Sequence, residues 1–494
     1  MNPQRKKLAM MKAIRFLSMA ALVFVGLITT GCSTEDDNKP LDMPESKTFT
    51  LTTTISMDGS APTRALTADG VKTFAVNDQI AVVYTNTSDK RVVAMSNALQ
   101  AGDITNGGKS AKMTVTLENP VAGSVDYIYP ASMAKSDGSP NYSALCMQDG
   151  TLDNLASKLD YAKGSGDMTG SGSEYTLPSI ALKNQLAICQ FKIKDGGGTE
   201  ITRSITGLTV SDGTNTYTVS RKAEAGPIYL AMQPVSSDKI ISFVANSTSN
   251  SYYKSVTMTS KALEANNLYP INVTMTTGNV IDLSKLTANC TAQNGDMLTG
   301  KLGASHKISI AAGATVILKN VSINYDEDPI LSGEFAGINC LGNATLIISG
   351  TENFVKGFSS GYPGIFVPSG STLTITGSGT LYANGHDNAA GIGSSRDNIE
   401  YYRACGNIVI QGGTIWAFGG SGAAAIGSGA SVYYTEDETS QPQSSCGYIT
   451  IKNSVTNVYV HTESGGSNIQ TIGHGQNSTC GTVTIEDRPV HSPT

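Results

Sequence analysis

Gly357-Phe358-Ser359-Ser360-Gly361 sets a serine between glycines in the Gly-x-Ser-x-Gly spacing with which a nucleophile elbow holds an attacking hydroxyl. An elbow needs a strand before the serine and a helix after it; no helical run follows Gly361, so we read the segment as a loop without a catalytic role. Asp387 and Asp397 could face one another on adjacent loops, the arrangement glycoside cleavage uses, but sequence does not set their separation. The five histidines, His306, His386, His461, His474 and His491, show neither His-x-x-x-His spacing nor pairing with a cysteine in a zinc pattern. Asn324-Tyr325-Asp326-Glu327-Asp328 gathers hard oxygen ligands of the kind Ca²⁺ takes, without the spacing of a known calcium loop, and reads better as a solvated acidic turn. The expectation is no enzyme, no metal and no cofactor.

Non-covalent recognition remains. Aromatic faces stack on the apolar C–H patches of sugars while amides and carboxylates bond the hydroxyls, and Tyr401, Tyr402, Trp416, Tyr433 and Tyr434 are the candidate contacts, with Phe418 beside them. Trp416 and Phe418 alternate with Ile415 and Ala417, so one of these two sets faces a core.

The element that must carry these residues is a repeat. Gly337-Ile338, Gly364-Ile365 and Gly391-Ile392 recur 27 residues apart, and Thr345-Leu346-Ile347-Ile348 returns as Thr372-Leu373-Thr374-Ile375 at the same interval. A unit this short cannot bury its own apolar side, so neighbouring units stack strand on strand and share one core; the expectation is a right-handed parallel β-helix. Thr315-Val316-Ile317-Leu318 reads as an earlier rung, and Asn407-Ile408-Val409-Ile410, Tyr448-Ile449-Thr450-Ile451 and Thr482-Val483-Thr484-Ile485 as later ones separated by insertions. Cys-Gly opens each of the last three, which places Cys405, Cys446 and Cys480 at one corner, where cysteines on successive rungs could bridge. Pairing among these three, Cys290 and Cys340 stays open. Cys146 and Cys189 read as small buried residues.

Ahead of the repeat, residues 47–276 show short strands of period two divided by Gly, Asn, Asp and Ser turns, the pattern of antiparallel sandwiches. A Gly- and Ser-rich stretch at 164–173 reads as a loop or seam. The reading is all-β: a sandwich over 47–165, a second over 166–278, and the β-helix over 279–494. A net charge of −6 lacks the basic face that nucleic acid would require.

At the start, Arg5, Lys6, Lys7, Lys12 and Arg15 precede an apolar run over 16–30 that is short for a membrane span and has the layout of a secretory signal. Its end, Ile28-Thr29-Thr30-Gly31-Cys32, resembles a bacterial lipobox, with Thr29 where Leu is usual. That resemblance implies removal of residues 1–31, acylation of Cys32, a linker over 32–46 and anchorage in the outer membrane. Without Cys32, seven of the eight cysteines remain, so at least one is unpaired.

Phe74-Ala75-Val76-Asn77-Asp78-Gln79-Ile80, Tyr127-Ile128-Tyr129-Pro130, Gln148-Asp149-Gly150-Thr151-Leu152 before Leu159-Asp160-Tyr161, Leu182-Lys183-Asn184-Gln185-Leu186-Ala187, and Leu268-Tyr269-Pro270-Ile271 occur in an order that resembles the fimbrillins, lipoprotein pilins of anaerobic Gram-negative bacteria. The resemblance covers roughly the first half of the chain. It implies two transthyretin-like sandwiches, proteolytic processing between Arg64 and Ala65, and polymerisation with other fimbrial subunits when a donated strand fills the vacated groove. The fimbrillin donor strand follows the second sandwich; here the chain runs on into the coil. The implied role is a tip adhesin at the cell surface that accepts a strand, donates none, and binds an extracellular glycan. A surface glycan-binding lipoprotein outside any pilus and a β-helix polysaccharide lyase or hydrolase are the alternatives.

Overall fold

The computed structural model describes residues 46–57, 73–159, 161–325, 331–431, 443–463, 468–487 and 489–492. Cys32, Arg64, Ala65, Tyr433, Tyr434 and the carboxylates of the 326–328 cluster lie outside the described residues. Contacts divide the chain after Ser46, and Lys47 onward forms one unit whose regular structure is almost entirely strands.

The strand Thr48–Met57 lies inside a nine-stranded sheet, antiparallel to Ser110–Glu118 and parallel to Ile180–Asn184. Its period-two pattern turns Ile55 and Met57 into a core with Met113, Val115 and Leu117, while Thr50 and Thr52 pair their hydroxyls with Thr116 and Thr114 on the other side. Two neighbours in the same sheet, Ala81–Thr85 and Gly123–Tyr129, are covered on both faces. Val82, Tyr84, Tyr127 and Tyr129 pack into the core around Ile55, whereas Ala81, Val83 and Ile128 pack into a second core around Phe191, Tyr217 and Ile228. A strand buried on both sides shows no polar alternation, which accounts for the unbroken run Ile80-Ala81-Val82-Val83-Tyr84. The two cores therefore share a sheet.

The Gly- and Ser-rich stretch expected as a seam is a strand, Ala162–Ser171, paired with Gly123–Tyr129 and Ile180–Asn184. The division placed between 165 and 166 falls inside it. Its glycines answer close packing rather than a break: a Cβ on Gly164 would collide with the Ile180 side chain, and one on Gly166 with Ile180 and Pro178.

The second core closes between two layers. One is the sheet Ile228–Met232, Ala187–Lys194 and Leu268–Thr274; the other begins Gly207–Ser211, Thr216–Ser220, Ile240–Asn246 and Asn250–Thr257. This second layer does not stop at the core's edge. Thr276–Asp282 pairs antiparallel with Asn250–Thr257 through Asn279, and from Val280 pairs parallel with Met297–Lys301. One strand thus ends the antiparallel layer and opens the coil, with no linker between them. Gly278 and Gly295 meet backbone to backbone at the crossing, where a side chain on either would clash.

From Cys290 onward the chain winds into parallel rungs with three faces. The first face stacks Thr315–Ile323, Ala344–Ser349, Thr372–Gly377, Asn407–Ile410, Ile449–Ile451 and Val483–Ile485. The second stacks Asn353–Lys356, Thr380–Asn384, Thr414–Gly419, Asn457–Thr462 and Val490–His491. The third stacks Ile338–Cys340, Ile365–Phe366, Ile392–Gly393, Ile426–Gly427 and Ile472–Gly473 beneath two earlier strands. The 27-residue interval is the register of the third face, where Ile338, Ile365 and Ile392 are partners. On the first face Thr345 pairs with Thr374, not Thr372, because the corner before it is two residues longer; a shift of two keeps every side chain on its own side. Asparagines close the corners: Asn294, Asn343 and Asn407 accept through Oδ1 from the backbone N–H of Thr315, Thr372 and Tyr448, each on the following rung. The rungs enclose one hydrophobic core from Leu283 to Ile472, mostly aliphatic.

Candidate functional site

The second face carries a continuous aromatic row. Phe354, Tyr382, Trp416, Tyr459 and His491 are register partners on successive rungs, flanked by Val355, Leu381, Ala383, Ile415, Ala417, Val458 and Val460, which fill the core. Strand alternation therefore turns each of these rings outward, where it is half-buried. Ring centroids lie 4.6 Å apart for Phe354 and Tyr382, 5.8 Å for Tyr382 and Trp416, 3.9 Å for Trp416 and Tyr459, and 5.1 Å for Tyr459 and His491, with interplanar angles of 12° to 29°. Tyr325 extends the row at 4.4 Å from Phe354.

This arrangement settles the choice posed by Ile415 and Ala417: they face the core, and Trp416 and Phe418 face out. It also changes what Trp416 can offer. Its ring face lies against Tyr459, so the flank presents ring edges with their hydroxyl, indole N–H and imidazole groups rather than open faces. Rows on either side supply further hydrogen-bonding groups: Thr380, Thr414 and Asn457 along one, and Lys356, Asn384 and His461 along the other, where Phe418 interrupts the polar groups with an apolar ring.

The remaining aromatic candidates fall elsewhere. Tyr402 is 5% exposed and packs against Tyr362 and Phe366; its hydroxyl donates at 2.6 Å to Oδ1 of fully buried Asn339. Asn339 in turn donates to the carbonyls of Ile308 and Ala336. Burial pushes the Tyr402 pKa up. It is a plug that pins the 394–404 insertion to the coil, not a ligand contact, which corrects its place among the binding candidates. Tyr401 is 55% exposed, with its ring against Phe366 and Tyr402 and Lys307 Nζ 6.0 Å from its centroid. Phe366 belongs to the third face and Trp416 to the second, so the expected set divides between two flanks.

Ser359 donates its hydroxyl to the Gly333 carbonyl at 2.8 Å, in a loop between rungs. Asp387 lies 3.4 Å from Nδ1 of its neighbour His386. Among the described residues no three His, Cys, Asp or Glu side chains are grouped to hold a metal ion. Cys405 and Cys446 form a disulfide, with Cα atoms 4.6 Å apart, and Cys480 is the register partner of Cys446 on the next rung. Cys189 and Cys340 are buried thiols, whereas Cys146 is exposed, contrary to the reading of it as a core residue; it lies in a short helical turn whose buried position is Leu145.

Phe354, Tyr382, Tyr459 and His491 escaped the sequence reading. For Tyr382 and Tyr459 the signal was present as a triplet shared with Trp416, an aromatic between two aliphatic or small residues, in Leu381-Tyr382-Ala383, Ile415-Trp416-Ala417 and Val458-Tyr459-Val460. Unequal loops place these triplets at irregular intervals, which hid the row.

The chain matches the beta helix repeat family over residues 373–396 and 408–430, within the coil. No curated protein matches it. Among solved structures it is similar to a fimbrial assembly protein from Parabacteroides distasonis, at 12% identity over 46% of this chain and 91% of that one, with a TM-score of 0.27. It is also similar to a candidate cell adhesion protein from Bacteroides ovatus, at 14% identity over 47% of this chain and 95% of that one, with a TM-score of 0.28.

Proposed function

We propose that this protein is a cell-surface adhesive subunit of a fimbrium that accepts a strand from another subunit, donates none, and binds an extracellular glycan through its coil. The observation that carries the reading is the pair of partners around Thr276–Asp282: one half closes the antiparallel layer and the other starts the first rung, so the segment after the second core is fixed on both sides. A strand held in two ladders is not free to leave for a neighbour.

The acceptor end has the complementary property. Thr48–Met57 sits between Ser110–Glu118 and Ile180–Asn184, and the segment that follows it carries Arg64. Cleavage between Arg64 and Ala65 would release an internal strand and leave two unpaired edges with apolar pockets where Ile55 and Met57 had been, a slot suited to a strand of the same alternation. In this reading the two cores belong to transthyretin-like sandwiches joined through a shared sheet, the coil is right-handed, and Cys32 anchors the precursor by lipid to the outer membrane.

The glycan would lie along the second face. Its outward rows repeat at the rung spacing of about 4.8 Å, matching an extended polymer with a similar repeat, and their polar ring edges, amides and hydroxyls suit sugar hydroxyls. N-terminal sequencing of protein taken from the bacterial surface tests the assembly half: a start at Ala65 supports it, and a retained acylated Cys32 points to a static surface lipoprotein. A glycan array read with reducing-sugar and unsaturated-product assays tests the other half, with binding and no turnover as the expected result.

A further inference from the structure

The corner between the third and first faces repeats one cysteine geometry over three rungs. Cys446 Sγ rests 3.5 Å from the Gly406 carbonyl of the rung before it, and Cys480 Sγ rests 3.4 Å from the Gly447 carbonyl. The backbone repeats as well: Gly447 N–H donates to the Cys405 carbonyl at 3.1 Å, and Gly481 N–H to the Cys446 carbonyl at 3.0 Å. Cys480 therefore stands to Cys446 as Cys446 stands to Cys405. The bonded pair has its Cα atoms 4.6 Å apart. Register partners on adjacent parallel strands lie at about 4.8 Å, inside the range a disulfide spans.

We propose that Cys446 is a shared sulfur, and that its disulfide moves by one rung between Cys405 and Cys480. The step is thiol–disulfide exchange within one chain. Cys480 gives up its proton to solvent and its thiolate attacks Cys446 Sγ; the Cys405–Cys446 bond breaks, and its electron pair leaves with Cys405 Sγ, which takes up a proton. One S–S bond is lost and one gained, so no oxidant is consumed. Cys405 and Cys480 stand on the rungs before and after Cys446, so a thiolate on one side can attack as the other side's sulfur leaves.

The two states differ in what they offer outside. With the bond at Cys405, the free thiol is Cys480, half-buried on a later rung and open to mixed disulfide formation with an external disulfide, either a small one or that of a thiol oxidoreductase. With the bond at Cys480, the free thiol is Cys405, whose residue is 3% exposed. The bond's position thus decides whether this corner of the coil carries a partly exposed thiol. Burial raises the Cys480 pKa to about 11, which keeps that thiol protonated and the exchange slow, on the order of minutes to hours.

The test is a map of disulfides in the intact protein. Wild-type protein is held for a day in a glutathione redox buffer, alkylated, and cut without reduction by trypsin and a glutamate-specific protease, which cleaves between Cys405 and Cys446 at Glu436 and Glu438. Both Cys405–Cys446 and Cys446–Cys480 peptides are expected in the mass spectrum. Cys405→Ser, checked for native circular dichroism, should then form Cys446–Cys480 in nearly every molecule. Only Cys405–Cys446 in the wild type, with Cys480 fully alkylated, would overturn the proposal whether or not the variant folds.

Discussion

Lys319, on the first face of the coil, donates from Nζ to Oδ1 of Asn246, in the layer that closes the second core, at 2.8 Å. The contact belongs to a seam in which Val244 packs with Met297, Ile317 and Ile347, and Ser251 Oγ donates to the Gly295 carbonyl at 2.6 Å. The coil is thus held to the preceding domain by packed side chains as well as by their common strand.

Burial lowers the Lys319 pKa below its ordinary value of about 10.4. The folded state therefore binds this proton less tightly than the unfolded chain, and stability rises with pH across the window from the depressed value up to the ordinary one. Lys319→Met should flatten that rise. Melting temperatures of wild type and variant from about pH 8 to about pH 10.5 check this, and parallel curves would reject the assignment.

Trp416 and Tyr459 should couple. Stacked rings contribute about 1 kcal/mol beyond the area they bury, so a double-mutant cycle with Trp416→Ala and Tyr459→Leu should return an interaction energy of that size by urea unfolding. If the row is also the ligand flank, either single variant lowers glycan affinity, whereas Tyr401→Ala, in the insertion packed on Phe366, leaves it unchanged.

Tyr402→Phe isolates a buried hydrogen bond. It deprives the Asn339 amide oxygen of its tyrosine donor and should lower stability by about 1–3 kcal/mol with no effect on ligand binding. Unchanged stability, or lost binding in a protein of native stability, would contradict its role as a plug.

Gly427 and Gly370 both have positive φ, at 138° and 80°, but different surroundings. A Cβ on Gly427 would strike the Gly473 carbonyl of the next rung, while one on Gly370 meets nothing within 4 Å. Gly427→Ala should therefore lose at least about 2 kcal/mol, and Gly370→Ala only about 1 kcal/mol from its backbone conformation. Equal losses in urea unfolding would show that the stacked corner does not constrain the rung.

Parts of the fold were legible because one physical constraint acted alone. Ile338, Ile365 and Ile392 are separated by turns of constant total length, so their spacing gave the third-face register directly. Cys405, Cys446 and Cys480 likewise announced their common corner through the glycine after each. Where two constraints compete, the letters mislead. Gly164 and Gly166 look like a break, yet their smallness admits Ile180 and Pro178 of the neighbouring segment, a requirement set by residues far along the chain. Tyr402 sits in an inserted loop and reads as exposed, but it finds Asn339 on another rung, and nothing local to either residue encodes the meeting. The aromatic row depends on register across loops of unequal length, which composition does not carry.

The most direct test of the account is stoichiometric. Protein cleaved after Arg64 and stripped of the released segment is mixed with a synthetic Thr48–Met57 peptide and followed by size-exclusion chromatography with light scattering. One peptide should bind per chain, with no growth beyond the monomer at any protein concentration. Chains that polymerise with one another in the absence of peptide, or a cleaved protein that takes up no strand, would contradict it.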